Sequence, residues 1–499
     1  MHSHTRTTGS RAAPAPEAPL RPEDLGSPAF RADHGVAYAY ASGSMYKAIA
    51  SVELVVRMGR AGLLGYLGTG GLSEDELDSS LHRVRSALGD DRPYGMNLLS
   101  SRPEREDRTV DLFLRHGVRR VEAASYVQMS PALVRYRLTG ARRLPDGTVR
   151  PAHLVLAKVS RQEVAEAFLS PPPPEVVREL AAAGRITPDE AALAGSLPMC
   201  DDLCAEADSG GHTDQRPMLA LLPAMLTTRE NRAARFPAAA RVRVGAAGGI
   251  GTPEGAAAAF VMGADFVLTG SINQCTAEAG TSDAAKDLLQ YAQVQDTALV
   301  PAADMFEMGT KAQVLRRGLF FPARANKLYE LWLRHGSLDD LDETTADHVQ
   351  RRILGRSFAE VWAEVRERYA RNRPEVVRRA EEDPKRRMAL VFTWYFARAT
   401  RFAQEGSTDS RVDFQIPCGP ALGALNERLR GTALEDWRDR HPDDLARLIM
   451  SGAAQLLTRA GRPAGAPDPA GGFPAPAGSG APATPAAPAA PAPRPIAVA

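Results

Sequence analysis

The fold is announced by the run Arg241-Val-Arg-Val-Gly-Ala-Ala-Gly-Gly-Ile-Gly-Thr-Pro-Glu254. Its first half is a short, mostly apolar stretch, as a strand buried on both faces of a parallel sheet should be. Glycines then break the strand, Thr252 suits a helix N-cap, and Pro253 suits the first helical turn. A small-residue helix follows to about Met262. Strand, glycine turn and helix together make one βα unit. Seven further runs repeat the rhythm: Val36–Met45, Leu63–Gly70, Tyr94–Ser100, Arg119–Tyr126, His153–Ser160, Leu203–Gly211 and Asp265–Ile272. Eight such units predict an α/β protein built as a closed (β/α)8 TIM barrel. An open doubly wound sheet is the alternative that rhythm alone leaves standing.

The barrel is expected over 26–282, with a polar helical insertion at 161–198 marked by Pro171–Pro174. From 283 to 460 the strand rhythm stops and periodic charged and apolar segments, such as Phe358–Tyr369, predict a mostly helical cap that serves the substrate side. Residues 1–25 and the Pro/Ala-rich tail 461–499 have too little apolar surface to order themselves and are predicted disordered.

Lys+Arg (61) and Asp+Glu (60) nearly cancel, so no whole-protein field draws in nucleic acid or anionic lipid. No apolar run approaches the roughly 20 residues needed to span a bilayer, and the polar N-terminus does not read as a secretory signal. Four cysteines are too few for a disulfide scaffold, and Cys200-x3-Cys204 lacks a second pair for zinc. The expectation is a cytoplasmic protein with no metal site, no membrane span and no nucleic-acid partner.

Chemistry in such barrels sits at the C-terminal strand ends. Gly248 and Gly249 after the seventh strand, and Thr269-Gly270-Ser271 after the eighth, expose backbone N–H groups near helix N-termini, which suits a phosphate. Tight turns are the plainer use of the same residues. His212 closes the run Glu206-Ala-Asp-Ser-Gly-Gly-His and is a candidate for proton transfer, or a loop histidine. Asp208 could orient its ring or cap a turn. Asn97 ends the third strand and could meet a planar heterocycle or merely turn the chain. Lys158 stands in an apolar fifth strand and needs a partner, either a reduced flavin anion or a neighbouring carboxylate. Gly43, Ser44 and Met45, with Gly68–Gly71, end the first two strands and allow close approach to a flat ligand. Arg316, Arg317, Arg324 and Lys327 form a basic cluster, read as an acidic-partner dock or a solvated face.

Nine motifs in order resemble one family. They include Ser44-Met-Tyr-Lys47, Tyr94-Gly-Met-Asn-Leu-Leu99, Ala157-Lys-Val-Ser-Arg161, Glu206 to Asp214, Gly248 to Pro253, Gly270-Ser-Ile-Asn-Gln274, Ala302-Ala-Asp-Met-Phe-Glu-Met-Gly309, Arg324 to Glu330 and Cys418-Gly-Pro-Ala421. The chain resembles the PfaD-type trans-acting enoyl reductases of polyketide and polyunsaturated fatty acid synthases, which are FMN barrels related to nitronate monooxygenases. The resemblance implies FMN at the barrel mouth, its phosphate on Gly248, Gly249, Thr269, Gly270 and Ser271, with Gly43, Ser44, Met45, Asn97 and Lys158 along the flavin. It further implies NADPH as reductant, an enoyl thioester on an acyl carrier protein as substrate, and His212 as the proton-handling residue. The first-strand region, Ala41-Ser-Gly-Ser44 followed by Ala48, departs from the expected pattern, which has an extra glycine or two there, and Gln215 and Pro417 depart from it as well. Nitronate oxidation on the same barrel and a non-catalytic scaffold role are the competing readings.

Overall fold

A computed structural model describes residues 18–371 and 373–461. The expected terminal disorder falls mainly on residues outside that range. Eight parallel strands close a barrel: β1 Tyr40–Ser42, β2 Leu64–Leu67, β3 Gly95–Leu99, β4 Arg120–Ala124, β5 Leu154–Val159, β6 Asp202–Glu206, β7 Arg243–Ala247 and β8 Val267–Thr269. Each pairs with its neighbours in sequence, and β8 closes onto β1. Each strand lies within the run predicted for it, apart from Asp202, which extends β6 one residue earlier. The open-sheet alternative fails because Tyr40, Ala41 and Ser42 pair with Val267, Leu268 and Thr269.

Period-two alternation sorts each strand's side chains. Val121, Ala123, Val155, Ala157, Leu203, Ala205, Val244 and Ala246 pack outward against the helices in the largest apolar cluster. The other set faces the barrel axis. Ala41, Leu64, Tyr66, Leu156, Cys204, Ala247, Phe266 and Leu268 make a separate apolar plug. Glycine makes room for its rings: a Cβ on Gly95 would stand 2.3 Å from the Tyr66 ring, and one on Gly245 would stand 2.5 Å from Phe266. The axial set ends in polar residues at both mouths, Arg120, Asp202 and Arg243 below, and Asn97, Glu122, Lys158 and Glu206 above.

The helix Pro28–His34 stoppers the lower mouth. Phe30 stacks on Phe266 with ring centroids 4.6 Å apart. His34 Nε2 lies 2.8 Å from Asp202 Oδ2, whose other oxygen accepts from Arg243 Nε at 2.5 Å.

Helices Gln162–Phe168, Pro174–Ala182 and Pro188–Leu193 fill the connection from β5 to β6. Beyond the barrel, helices such as Phe321–Arg334, Phe358–Ala370 and Pro384–Glu405 share an apolar core of Phe321, Leu328, Val361, Met388, Phe392 and Phe396. Two features of this C-terminal part differ from a plain helical cap. Strands β9 Thr297–Pro301 and β10 Lys311–Leu315 form an antiparallel ribbon, and its edge captures the two-residue strand Gly211–His212. These runs contain Pro301, Lys311 and Gln313 and are stabilised by pairing across the ribbon, so their local pattern carries little strand signal. The last helix, Pro442–Ala460, returns to the barrel and buries Leu445, Ile449, Met450 and Ala453 in the barrel's outer core.

Candidate active site

Two groups of residues meet at the upper mouth, and a third stands on its rim. The first is the glycine cradle. Gly248 and Gly249 both take positive φ (83° and 74°), a region that favours glycine. At Gly248 a Cβ would also stand 2.6 Å from the Ala207 backbone, whereas at Gly249 and Gly270 nothing lies within 4 Å of that position. The two loops therefore leave open space bounded by backbone. Thr252 Oγ1 accepts from Gly255 N at 3.3 Å and caps the helix Pro253–Val261, as expected. A third segment joins them, without any counterpart in the phosphate-loop reading. Gly419 N donates to Ser271 Oγ at 3.0 Å, and the helix Pro420–Leu429 starts there. A Cβ on Gly251 would stand 2.2 Å from Ala421 O, so these backbones touch. Two helix N-termini thus converge on one small space, which favours an anion. Ser209 Oγ, in the loop that touches Gly419, is buried with no hydrogen-bond partner.

Thr269 behaves differently from its neighbours. Its hydroxyl is buried and bonds Tyr40 Oη at 2.5 Å and Asn273 Nδ2 at 2.9 Å, so it braces the floor beneath the cradle. Gly43 N donates to Thr269 O at 2.9 Å and ties the first strand's end to the eighth's.

The second group is a charged cluster across β4, β5 and β6. Lys158 Nζ lies 2.9 Å from Glu206 Oε1 and 3.4 Å from Glu122 Oε1. Burial alone would lower the lysine's pKa, but the two carboxylates outweigh it and hold it above the ordinary lysine value. Of the two kinds of partner left open for Lys158, the fold itself supplies the carboxylates. Fully buried Glu122 also accepts from Ser44 N at 2.9 Å and Ser44 Oγ at 2.6 Å, so it binds the first strand's loop to the cluster. Asn97 lies beside it in register and donates from Nδ2 to Glu122 O at 3.1 Å, while Thr69 Oγ1 donates to Asn97 O. Asn97 is buried in this network. Met45 runs against Gly68, where a Cβ would meet its carbonyl oxygen at 1.6 Å. Ala48, in the region where extra glycine was expected, has φ +53°, and Gln215 has φ +57°.

His212 stands at the rim. Its partner is Asp304, whose Oδ1 lies 2.8 Å from His212 Nε2. That hydrogen bond raises the histidine's pKa, against the opposing effect of burial, and the charges of Asp304 and Glu206 add to it. Asp208 does not reach the ring. It accepts from Thr213 Oγ1 and Gln313 Nε2 and so shapes the loop. Sequence reasoning missed Glu122 and Asp304 as site residues. An acid at an axial position of an apolar strand was the available signal for the first. Asp304 lay within a family marker but had no periodicity or spacing to tie it to His212.

In the basic cluster, Arg317, Arg324 and Lys327 each meet a carboxylate, on Asp296, Asp413 and Glu330, which cancels much of its field. Among the described residues no helix is long and apolar enough to cross a membrane, and no group of three or more His, Cys, Asp or Glu is placed to hold a metal. All four cysteines are free and buried.

Eight parallel strands closed on themselves, with a glycine-lined opening after the last two, define the class: a (β/α)8 barrel protein. Residues 34–325 match the nitronate monooxygenase family, and the chain belongs to it. Residues 335–414 match the inserted helical domain of the acyl-carrier-protein S-malonyltransferases. Among solved structures, the enoyl reductase domain of MlnA, from the macrolactin biosynthesis cluster of Bacillus amyloliquefaciens, aligns with TM-score 0.85 and 41% identity, over 88% of this chain and 99% of that one. The polyketide biosynthesis protein PksE of Bacillus subtilis is 47% identical over 443 residues, 88% of this chain and 57% of that protein. A polyunsaturated fatty acid synthase component of a Thraustochytrium species is 43% identical over 418 residues, 83% of this chain and 28% of that protein. The chain therefore spans little more than half of the first of these curated relatives and under a third of the second.

Proposed function

We propose that this chain is an FMN-dependent enoyl reductase that uses NADPH and acts on α,β-unsaturated acyl thioesters carried by an acyl carrier protein of a polyketide or polyunsaturated fatty acid synthase. The observation that carries the reading is the likeness over nearly the whole length of the MlnA enoyl reductase domain, taken with a cradle that suits a phosphate. Open space at Gly249 and Gly270, two converging helix N-termini and the unpartnered Ser209 hydroxyl fit the phosphate of FMN. Gly248, Gly249, Gly270 and Ser271 would hold that phosphate, with Thr269 bracing them from below. Gly43, Ser44 and Met45 would border the ring system, backed by Asn97 and the Glu122–Lys158–Glu206 cluster. When bound, the reduced flavin would supply hydride to the β-carbon of the enoyl thioester.

The chain's own residues then have definable tasks. Asp304 orients the His212 imidazole through Nε2 and favours its protonated form, leaving Nδ1–H free to donate. A proton held there can pass to the substrate's α-carbon or steady the developing enolate oxygen. Lys158 stays charged against Glu122 and Glu206, and Ser44 is fixed in place by Glu122.

Family membership also supports a second reading, a nitronate monooxygenase with His212 as base. One experiment separates them. The purified protein is loaded with FMN, reduced anaerobically with NADPH, and mixed with crotonyl-coenzyme A. Reoxidation of the bleached flavin with formation of the saturated thioester is expected. No response to the enoyl thioester, together with oxygen uptake on a propyl-2-nitronate, would replace the reductase reading with the second.

A further inference from the structure

The opposite, N-terminal face of the barrel holds a cavity of about 740 Å³ that the proposed reaction does not use. It lies among the connections that lead into β4, β5, β6 and β7. One wall is a hairpin, Arg142–Arg143 paired with Val149–Arg150, in the connection from the helix Pro131–Leu138 to β5. That connection spans 139–153, whereas such loops usually need only about 2–6 residues to turn the chain.

Arginine dominates the lining. Arg137, Arg150 and Arg243 each meet a carboxylate: Arg137 meets Asp201 at 2.6 Å, Arg150 meets Asp33 at 3.8 Å, and Arg243 meets Asp202 and Asp33 at 2.5 and 2.6 Å. Arg119, Arg120, Arg142 and Arg241 do not. Among the described residues none of these four has a carboxylate within ion-pair distance. Arg120 donates only to a backbone carbonyl, of His34, and its Nε is buried without an acceptor. Arg243, 7% exposed, likewise has an Nη2 with no acceptor. Several guanidinium groups without a close carboxylate, gathered around one concavity, repel each other and draw counter-charge. Their planar forks match the oxygens of phosphate better than those of any neutral ligand. Leu144, Val149 and Leu197 add an apolar edge on which an organic group could rest. The volume lies within the roughly 300–1,000 Å³ common for small-molecule sites.

We propose that this cavity is a second ligand site, one that binds the polyphosphate group of a small molecule, on the barrel face away from the candidate active site. It is independent of the reductase reading, because none of its residues belongs to the upper mouth.

The test uses the full chain saturated with FMN and measures binding by calorimetry of two probes, sodium tripolyphosphate and ATP. Both should bind, ATP more tightly if the apolar edge contributes. The double substitution Arg142→Glu, Arg241→Glu, at two exposed positions, should weaken both by about tenfold or more, the loss of charge-assisted contacts from two forks. Arg119→Glu is a separate check should the double variant fold poorly. Flavin content and NADPH-driven flavin bleaching should stay as in the parent, showing an intact upper mouth. Failure of both probes to bind, or equal binding by parent and arginine variants, would overturn the proposal.

Discussion

His212 Nε2 and Asp304 Oδ1 stand 2.8 Å apart although 92 residues separate them in the chain. The ribbon of β9 and β10 brings them together: its edge residues Ala312 and Gln313 pair with His212 and Gly211, and Asp304 lies in the connection between its two strands. A histidine so held has a raised pKa and the aspartate a lowered one, each with the other's hydrogen bond among its causes. The histidine's contribution is present below its ordinary 6.5 and is lost as pH rises through its elevated value. The aspartate's is present above its ordinary 3.8 and is lost as pH falls through its depressed value. The ion-paired form is therefore complete between those two limits.

Asp304→Asn should lower the pKa of His212 toward its ordinary value. An NMR titration of the imidazole reads this directly, and the alkaline limb of the reduction rate should move the same way. A titration indistinguishable from the parent's would mean that Asp304 does not govern the ring.

Glu122→Ala should destabilise the fold more than a surface change does. It strips Lys158 of one carboxylate and leaves half-buried Ser44 N and Oγ without their acceptor. Breaking a buried charge network of this kind costs about 3–5 kcal/mol. Urea denaturation of the flavin-loaded protein checks it, and a loss under about 1 kcal/mol would place the cluster among weakly coupled surface pairs.

Gly249→Val should cost flavin and spare the fold. Its Cβ would enter the open space between the loops, and the positive φ adds about 1–2 kcal/mol of local strain. FMN retained through gel filtration should fall well below parent level while the circular dichroism spectrum persists. Unchanged flavin content would dissociate this glycine from the phosphate.

Acid should weaken the lower mouth through Asp202. Arg243 and His34 overcome the cost of burial and depress its pKa from 3.8 to about 2. The stabilisation is present above the ordinary value and disappears as pH falls toward 2, about 2 kcal/mol in all. Asp202→Asn should be less stable at neutral pH yet show a flatter loss of stability across that acid range. A parallel slope in both proteins would contradict the assignment.

Much of the barrel was legible because its signal is local. A strand buried on both faces must be apolar over a few consecutive residues, and a helix start must be capped within a turn, so Arg243–Ala247, Thr252 and Pro253 declare themselves without any partner. The glycine turns after β7 and β8 follow from the same locality. Residue order alone thus marked out the eight strand segments and their succession along the chain, while closure of the sheet came from the pairing of Tyr40–Ser42 with Val267–Thr269. Its motifs also pointed to the family.

Which residues meet was left to the folded chain. Lys158 finds Glu122 and Glu206 because barrel closure sets β4, β5 and β6 side by side with these residues on the axial side. Gly419 reaches Ser271, and Asp304 reaches His212, through long-range pairing of chain segments whose own patterns are weak. Arginines scattered from 119 to 243 surround one cavity because four separate connections end on the same face. Pairings of this kind are set by how elements pack, and no run of neighbouring residues records them.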